Sequence, residues 1–299
     1  MTHRTLISAA ELLALTRSTD AVAQLMIFDC SFDLSDLSAG RRAYHDAHIP
    51  EAVYADLERD LSDLGTPDAA GHAQPAPDAV SGGRHPLPSP EKFATWLSSI
   101  GFRNEMQAVV YDRNGGVYCG RLWWMLKWVG HEAVAVLDGG LKAWTAAGGP
   151  VTDRDEAARF QANFDAQPVD TALVGADDVL AHLGQPEQTL IDARAPARFR
   201  GEVEPLDAAA GHIPGALNRP FTENFDKDGK FKSPGQLRHE FDALLAGRSP
   251  ASVVHQCGSG VSANPNLIAM ELAGLGRSRL FAGSWSEWSS DPSRPVEKG

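Results

Sequence analysis

The sequence is poor in cysteine, short of positive charge and without any long uninterrupted apolar run. Its three cysteines, Cys30, Cys119 and Cys257, are too few and too scattered for a disulfide framework or a zinc site. They are expected to stay reduced in a cytoplasmic setting. With Lys+Arg at 27 against Asp+Glu at 39, the net charge is −12 at pH 7, which opposes long-range attraction to nucleic acid or to an anionic membrane. An anionic small molecule would need a local basic pocket. No stretch approaches the roughly 18 apolar residues of a membrane span, and Met1 to Thr16 has no long apolar core before Glu11. The expectation is a soluble, unprocessed protein.

What is present is an apolar content of 43% over 299 residues, ample for one large buried core or for two. An internal repeat decides for two. Leu190-Ile-Asp192 answers Ile27-Phe-Asp29, His212-Ile-Pro214 answers His48-Ile-Pro50, and Ser233-Pro234 answers Ser89-Pro90. Val253 to Cys257 answers Ala108 to Asp112, and Ala282 to Trp288 answers Asp138 to Trp144. The offset drops from 164 at the histidines to 144 at the Ser-Pro pairs, so the first half carries about twenty extra residues between Pro50 and Ser89. That insertion, rich in Gly, Pro, Ala and Asp from Leu61 to Pro88, reads as a functional lid or a disordered excursion.

Each half alternates strands with helices. Ser8 and Glu11 form a capping-box pattern ahead of a helix over 9–16, Leu25 to Phe28 is a strand, and Ser89-Pro90 opens a helix. Ala108 to Tyr111 is a strand, Arg121 to Trp128 a helix ending before Gly130, and Ala133 to Leu137 a strand. The expected fold class is α/β: two tandem domains, each a doubly wound parallel sheet with helices on both faces. The boundaries are 1–147 for the first domain, 148–168 for an exposed linker and 169–299 for the second.

The most informative stretch is Ser252 to Glu271. A β-branched run ends at Cys257, passes through Gly258, Ser259 and Gly260, and turns helical from about Val261 or Ser262. Glycines let successive N–H groups point inward, so this loop and helix start form a concave, partly positive cradle. Such a setting favours a thiolate, the nucleophilic form of cysteine, whose pKa drops from about 8.5 to roughly 3.5–7.5 at helix N-termini. A cysteine buried as a small hydrophobe would not need that loop. In the first half Asp112 takes the corresponding place.

The loop from Cys257 to Ala263 resembles the active-site loop of 3-mercaptopyruvate sulfurtransferases, relatives of rhodanese, and the likeness spans nearly the whole chain. Rhodaneses that use thiosulfate carry basic residues where Gly258 and Ser259 stand here, which favours the mercaptopyruvate branch. Phosphatases of the same fold need an arginine where Ala263 stands, so phosphate-ester chemistry lacks its clamp. The resemblance implies a catalytic second domain and a degenerate first one, since the Asp112 carboxylate cannot carry sulfane sulfur. It implies that Cys257 takes sulfur from a small-molecule donor as a persulfide, held by N–H groups from Gly258, Gly260, Val261 and Ser262. The sulfur then passes to a thiol, such as that of a thioredoxin-like protein, or to cyanide; no metal or organic cofactor is needed.

The same resemblance couples Ser259 to a histidine and an aspartate of the first domain. His48 matches the histidine motif and Asp36 is the aspartate, with Asp46 as the alternative; Ser259 as a helix cap is the competing role. Arg198, in Asp192-Ala-Arg-Ala-Pro-Ala-Arg-Phe-Arg200, inherits the binding of the donor's carboxylate. The second arginine expected near Leu206 is missing, and Arg219 is a substitute from another direction, while Arg194 and Arg200 read as ion-paired. His255, two residues before Cys257, shares its face of the strand and reads as a core histidine rather than a hydrolase base. Thiosulfate as donor, and a non-catalytic sulfur-carrying or partner-binding module, are the alternatives.

Overall fold

Apolar runs of strand length produce two parallel sheets in the computed structural model of the protein, which describes residues 2–68, 74–169 and 172–299. The first sheet has the order β1-β5-β4-β2-β3, from β1 (Leu6–Ile7), β2 (Leu25–Asp29), β3 (Val53–Tyr54), β4 (Gln107–Tyr111) and β5 (Val134–Leu137). Every residue of β2 is buried, as a central parallel strand requires. On one face Leu25, Ile27, Val109 and Tyr111 pack with Leu12 of α1 (Ala9–Thr16) and with Trp144. On the other, Phe28 meets Trp96 of the helix Pro90–Ser99 with ring centroids 6.2 Å apart. The capping box forms: the Glu11 N–H donates to Ser8 Oγ at 3.2 Å and the Ser8 N–H to Glu11 Oε2 at 2.9 Å.

The second sheet runs β7-β6-β8-β9, from β6 (Thr189–Asp192), β7 (Leu217–Asn218), β8 (Val253–Gln256) and β9 (Arg279–Leu280). Val179, Leu190, Val254, Phe281, Trp285 and Trp288 form the core of one face, so both of these tryptophans are interior. His255 and Met270 meet on the other. The α/β class with helices on both faces of each sheet is therefore realised.

Two expectations about connections change. Residues up to Leu61, Ser89–Val169 and Lys227–Lys230 form one compact unit, and Ser62–Pro88, Asp170–Asp226 and Phe231–Gly299 the other. The insertion thus packs with the second unit although the chain reaches it from the first; its residues 69–73 lie outside the described residues. The Gly82 N–H donates to Glu287 Oε2 at 3.3 Å and the Arg84 N–H to Ser286 Oγ at 3.1 Å, and these two bonds fasten it there. The segment 148–168 is largely exposed, as expected of a linker, but it groups with the first unit and runs back along it. There Phe164 is buried, and the Ala162 and Phe164 N–H groups donate to Ser98 O at 2.9 Å and Ser98 Oγ at 3.0 Å. Its polar composition hid backbone bonds that only the folded chain forms.

His255 is fully buried in β8, with Nε2 3.1 Å from Met270 Sδ. Burial, then the charge of Arg219, push its pKa from 6.5 down to about 3. The unfolded chain therefore takes up a proton near pH 6.5 that the folded chain refuses until about 3. This group's share of stability is intact above that window and is lost as pH falls through it, by up to about 1.4 kcal/mol per pH unit. His255→Leu is expected to flatten the acid side of the stability curve in urea titrations at a series of pH values; an unchanged slope would contradict neutral burial.

Candidate functional site

Cys257 stands one residue beyond β8, and the helix that follows, Asn264–Leu272, begins two to three residues later than the sequence suggested. The delay has a local cause: Asn264 Nδ2 turns back to donate to the carbonyls of Gly260 at 3.1 Å and Val261 at 2.8 Å. Gly260 has φ of +74°, and a Cβ there would sit 2.1 Å from Ala282 O, so only glycine fits. The loop is anchored by the helix Ser284–Trp288. Its Trp285 and Ser286 N–H groups donate to the carbonyls of Cys257 at 3.1 Å and Gly258 at 2.9 Å, while the Cys257 N–H donates to Ser284 Oγ at 3.1 Å. In a planar trans peptide N–H and C=O point opposite ways. Pinning those two carbonyls therefore turns the N–H groups of Gly258 and Ser259 away from the anchoring helix.

The first unit shows what such a loop holds. Asp112 Oδ1 accepts from the N–H groups of Asn114 at 2.8 Å and Gly116 at 2.9 Å, and Oδ2 from Tyr118 at 2.9 Å and Cys119 at 3.0 Å. Gly115, the counterpart of Gly260, has φ of +73°. A buried carboxylate thus occupies a nest of four backbone donors. Cys257 replaces it in the second unit.

Cys257 is 1% exposed. Ser259 Oγ lies 2.8 Å from His85 Nδ1, and both residues are buried. Ser259 does not cap the following helix, whose N-cap is Ala263 with no side-chain bond. Asp63 is buried in the segment that carries His85, and its N–H donates at 2.8 Å to the carbonyl of Pro86, the residue after the histidine. Arg198 comes from the short helix Pro196–Phe199; its Nη2 donates to Glu204 Oε1 at 2.6 Å and Asp207 Oδ2 at 3.0 Å. Burial raises the Asp207 carboxyl above its ordinary pKa, against the pull of Arg84 and Arg198. In Glu204 burial also works upward, but the hydrogen bond from Arg198 leaves the carboxyl lowered. Val261 is buried beside the loop and Ser262 half-buried.

Several sequence-derived candidates go elsewhere. His48 stacks on Tyr44 at 3.9 Å, with Nδ1 2.7 Å from Tyr44 O and Nε2 3.2 Å from Glu156 Oε1. His212 does the same in its own copy, stacked on Phe199 at 3.7 Å with Nδ1 2.8 Å from Phe199 O. Both histidines fasten their His-Ile-Pro turns, so the expected role of His48 is corrected: the histidine at Ser259 is His85. Asp36 is exposed and bound to Arg42 at 2.5 Å and Ser38 Oγ at 2.8 Å, which draw its pKa down to about 2. It serves a surface turn, and Asp46 is likewise exposed. Arg219 is 4% exposed and spends its guanidinium on Glu240 at 2.8 Å, Asn224 and the face of Phe241. The second carboxylate-binding arginine is therefore not Arg219. The signal that points to His85 was the unrepeated insertion: a histidine with no counterpart in the other half, after Gly82-Gly83.

A model of the rhodanese-like domain matches residues 8–147 and again 175–291. A Pseudomonas aeruginosa protein named "Probable 3-mercaptopyruvate sulfurtransferase" is 46% identical over 300 residues, covering 100% of both chains. The thiosulfate sulfurtransferase of Cricetulus griseus is 32% identical across 99% of this chain and 96% of its own. Among solved structures, 3-mercaptopyruvate sulfurtransferase from Leishmania major superposes with a TM-score of 0.78 at 29% identity, over 96% of this chain and 74% of that one. Two matches to one domain, a repeat with one cysteine loop and one carboxylate loop, and full-length relatives lead to a single assignment: the chain belongs to the rhodanese family, in its tandem-domain form.

Proposed function

We propose that the protein is a sulfurtransferase that moves sulfane sulfur from 3-mercaptopyruvate to a thiol or to cyanide through a persulfide on Cys257. One observation carries the reading: the loop that holds a carboxylate in the first unit presents a cysteine in the second, with Ser259 bonded to His85 beside it. The Cys257 thiolate attacks the donor's sulfur, a sulfur–sulfur bond forms, and the carbon–sulfur bond breaks with its electron pair left on carbon. That carbon needs a proton, and the donor thiol has one to lose. Ser259 and His85 relay it. Pyruvate leaves; an acceptor thiolate then attacks the outer sulfur and Cys257 departs as thiolate.

N–H groups of Gly258, Gly260, Val261 and Ser262 steady the anionic persulfide, and their effect is larger for being away from water. Arg198 binds the carboxylate. A thioredoxin-like dithiol fits the acceptor role, and three free thiols suit a cytosolic location. No helix among the described residues is long and apolar enough to cross a membrane. Thiosulfate is a second donor for the same chemistry, favoured by the name of the Cricetulus griseus relative.

Cys257→Ser is expected to fold normally and to lose transfer, with no sulfur atom gained in the mass spectrum after exposure to mercaptopyruvate; substantial residual turnover would refute the assignment. His85→Ala is expected to lower turnover by about 100-fold or more with an unchanged melting temperature. His48→Ala should do the reverse, costing about 2 kcal/mol of stability in denaturant titrations while the folded enzyme keeps its turnover.

A further inference from the structure

The resemblance implies two arginines at the donor's carboxylate, of which this chain has only Arg198 at the matching positions. Leu206 stands where an arginine was expected and is half exposed, and Arg219 is spent on Glu240. We propose that Arg84, from the insertion, is that second guanidinium, and that it and Arg198 together grip the donor's carboxylate. The proposal rests on the reading that the donor carries one.

The two arginines are already arranged around a carboxylate. Arg84 Nη1 donates to Asp207 Oδ1 and Arg198 Nη2 to Asp207 Oδ2, so one acid bridges both forks. Each guanidinium then turns its other terminal nitrogen toward the cysteine loop. A side-chain carbon placed on Gly258 would meet Arg84 Nη2 at 3.2 Å and Arg198 Nη1 at 3.5 Å. The pair therefore brings two donors close to the residue that follows Cys257, with Asp207 as the positioning residue behind them. Gly258 has no side chain to obstruct that space. Both heads reach solvent, with side-chain exposures of 30% for Arg84 and 19% for Arg198, whereas Arg194, locked to Asp192, is 1% exposed.

Arg84 is also placed with the accuracy such a role needs. Its N–H is tied to Ser286 Oγ at 3.1 Å, and Gly83 before it lies so close to Gly283 O that a Cβ would be 2.5 Å away. The next residue is His85. One short run of chain thus delivers both the group that moves the proton and the group that seats the carboxylate. Planar guanidiniums suit this because each offers two N–H groups in a fixed plane.

The test uses the full-length enzyme with Arg84→Ala, Arg84→Lys and Arg198→Ala. Loss of a charged hydrogen bond to the carboxylate is expected to raise the KM for mercaptopyruvate by about 10- to 100-fold in Arg84→Ala, with kcat changed by less than about threefold, and Arg84→Lys should fall between. Alkylation of Cys257 supplies a readout independent of turnover. The rate with iodoacetate, which carries a carboxylate, should fall about tenfold in Arg84→Ala, while the rate with neutral iodoacetamide stays within about twofold. Equal losses with both reagents would make Arg84 merely structural and overturn the proposal. So would an Arg84→Ala enzyme with unchanged KM and unchanged reagent ratio beside an Arg198→Ala enzyme in which both change. If the wild-type protein fails to use mercaptopyruvate at all, the donor reading falls, and the reagent ratio still decides the role of Arg84.

Discussion

A buried carboxylate survives only where backbone donors replace the water it has lost, and the turn that follows the middle strand of the first sheet is built around one such place. Taking a carboxylate out of water is costly unless it is fully hydrogen-bonded. Asp112 meets that requirement with four N–H groups from a seven-residue turn between a parallel strand and a helix. The turn needs a left-handed residue at its centre, and glycine supplies it in both copies, at 115 and at 260. In the second unit Cys257 takes the place of that carboxylate at the matching turn.

The duplication also separates scaffold from function. Asp29 and Asp192 end matching strands, and each binds the backbone N–H two residues on, at 2.9 Å. Each also pairs with a guanidinium, but from different places in the sequence: Arg113 at the start of the turn after β4 in one copy, Arg194 two residues after β6 in the other. Arg113 reaches Ala43 O and Arg194 reaches Gly211 O, so both tie the sheet edge to the chain leading into the His-Ile-Pro turn. The charge is retained while its source has changed. Ser259 and His85, by contrast, have no such pair in the first half.

That contrast explains how far the sequence could be read. Strands, helix starts and the cysteine turn were legible because they depend on local rules: period, caps, glycine. The Ser8 and Ser89 caps and the stop at Gly130 fall where those rules place them. His48 misled because a motif match carries no information about which face a ring ends on, although its twin at 212 already hinted at a scaffold role. Asp36 and Arg219 failed for a similar reason. Their partners, Arg42 in one case and Glu240 with Phe241 in the other, are set by folding of the neighbouring chain. His85 lay in a stretch whose Gly, Pro and Ala content has no periodicity to read, so nothing local says where it docks.

The docking of residues 62–88 in the second unit has a consequence for the gene. A division of the coding sequence at the midpoint, which the repeat seems to invite, would leave the cysteine on one polypeptide and the histidine and arginine beside it on another. Recombination that shuffles whole repeats would thus scatter a pocket that point mutation leaves whole.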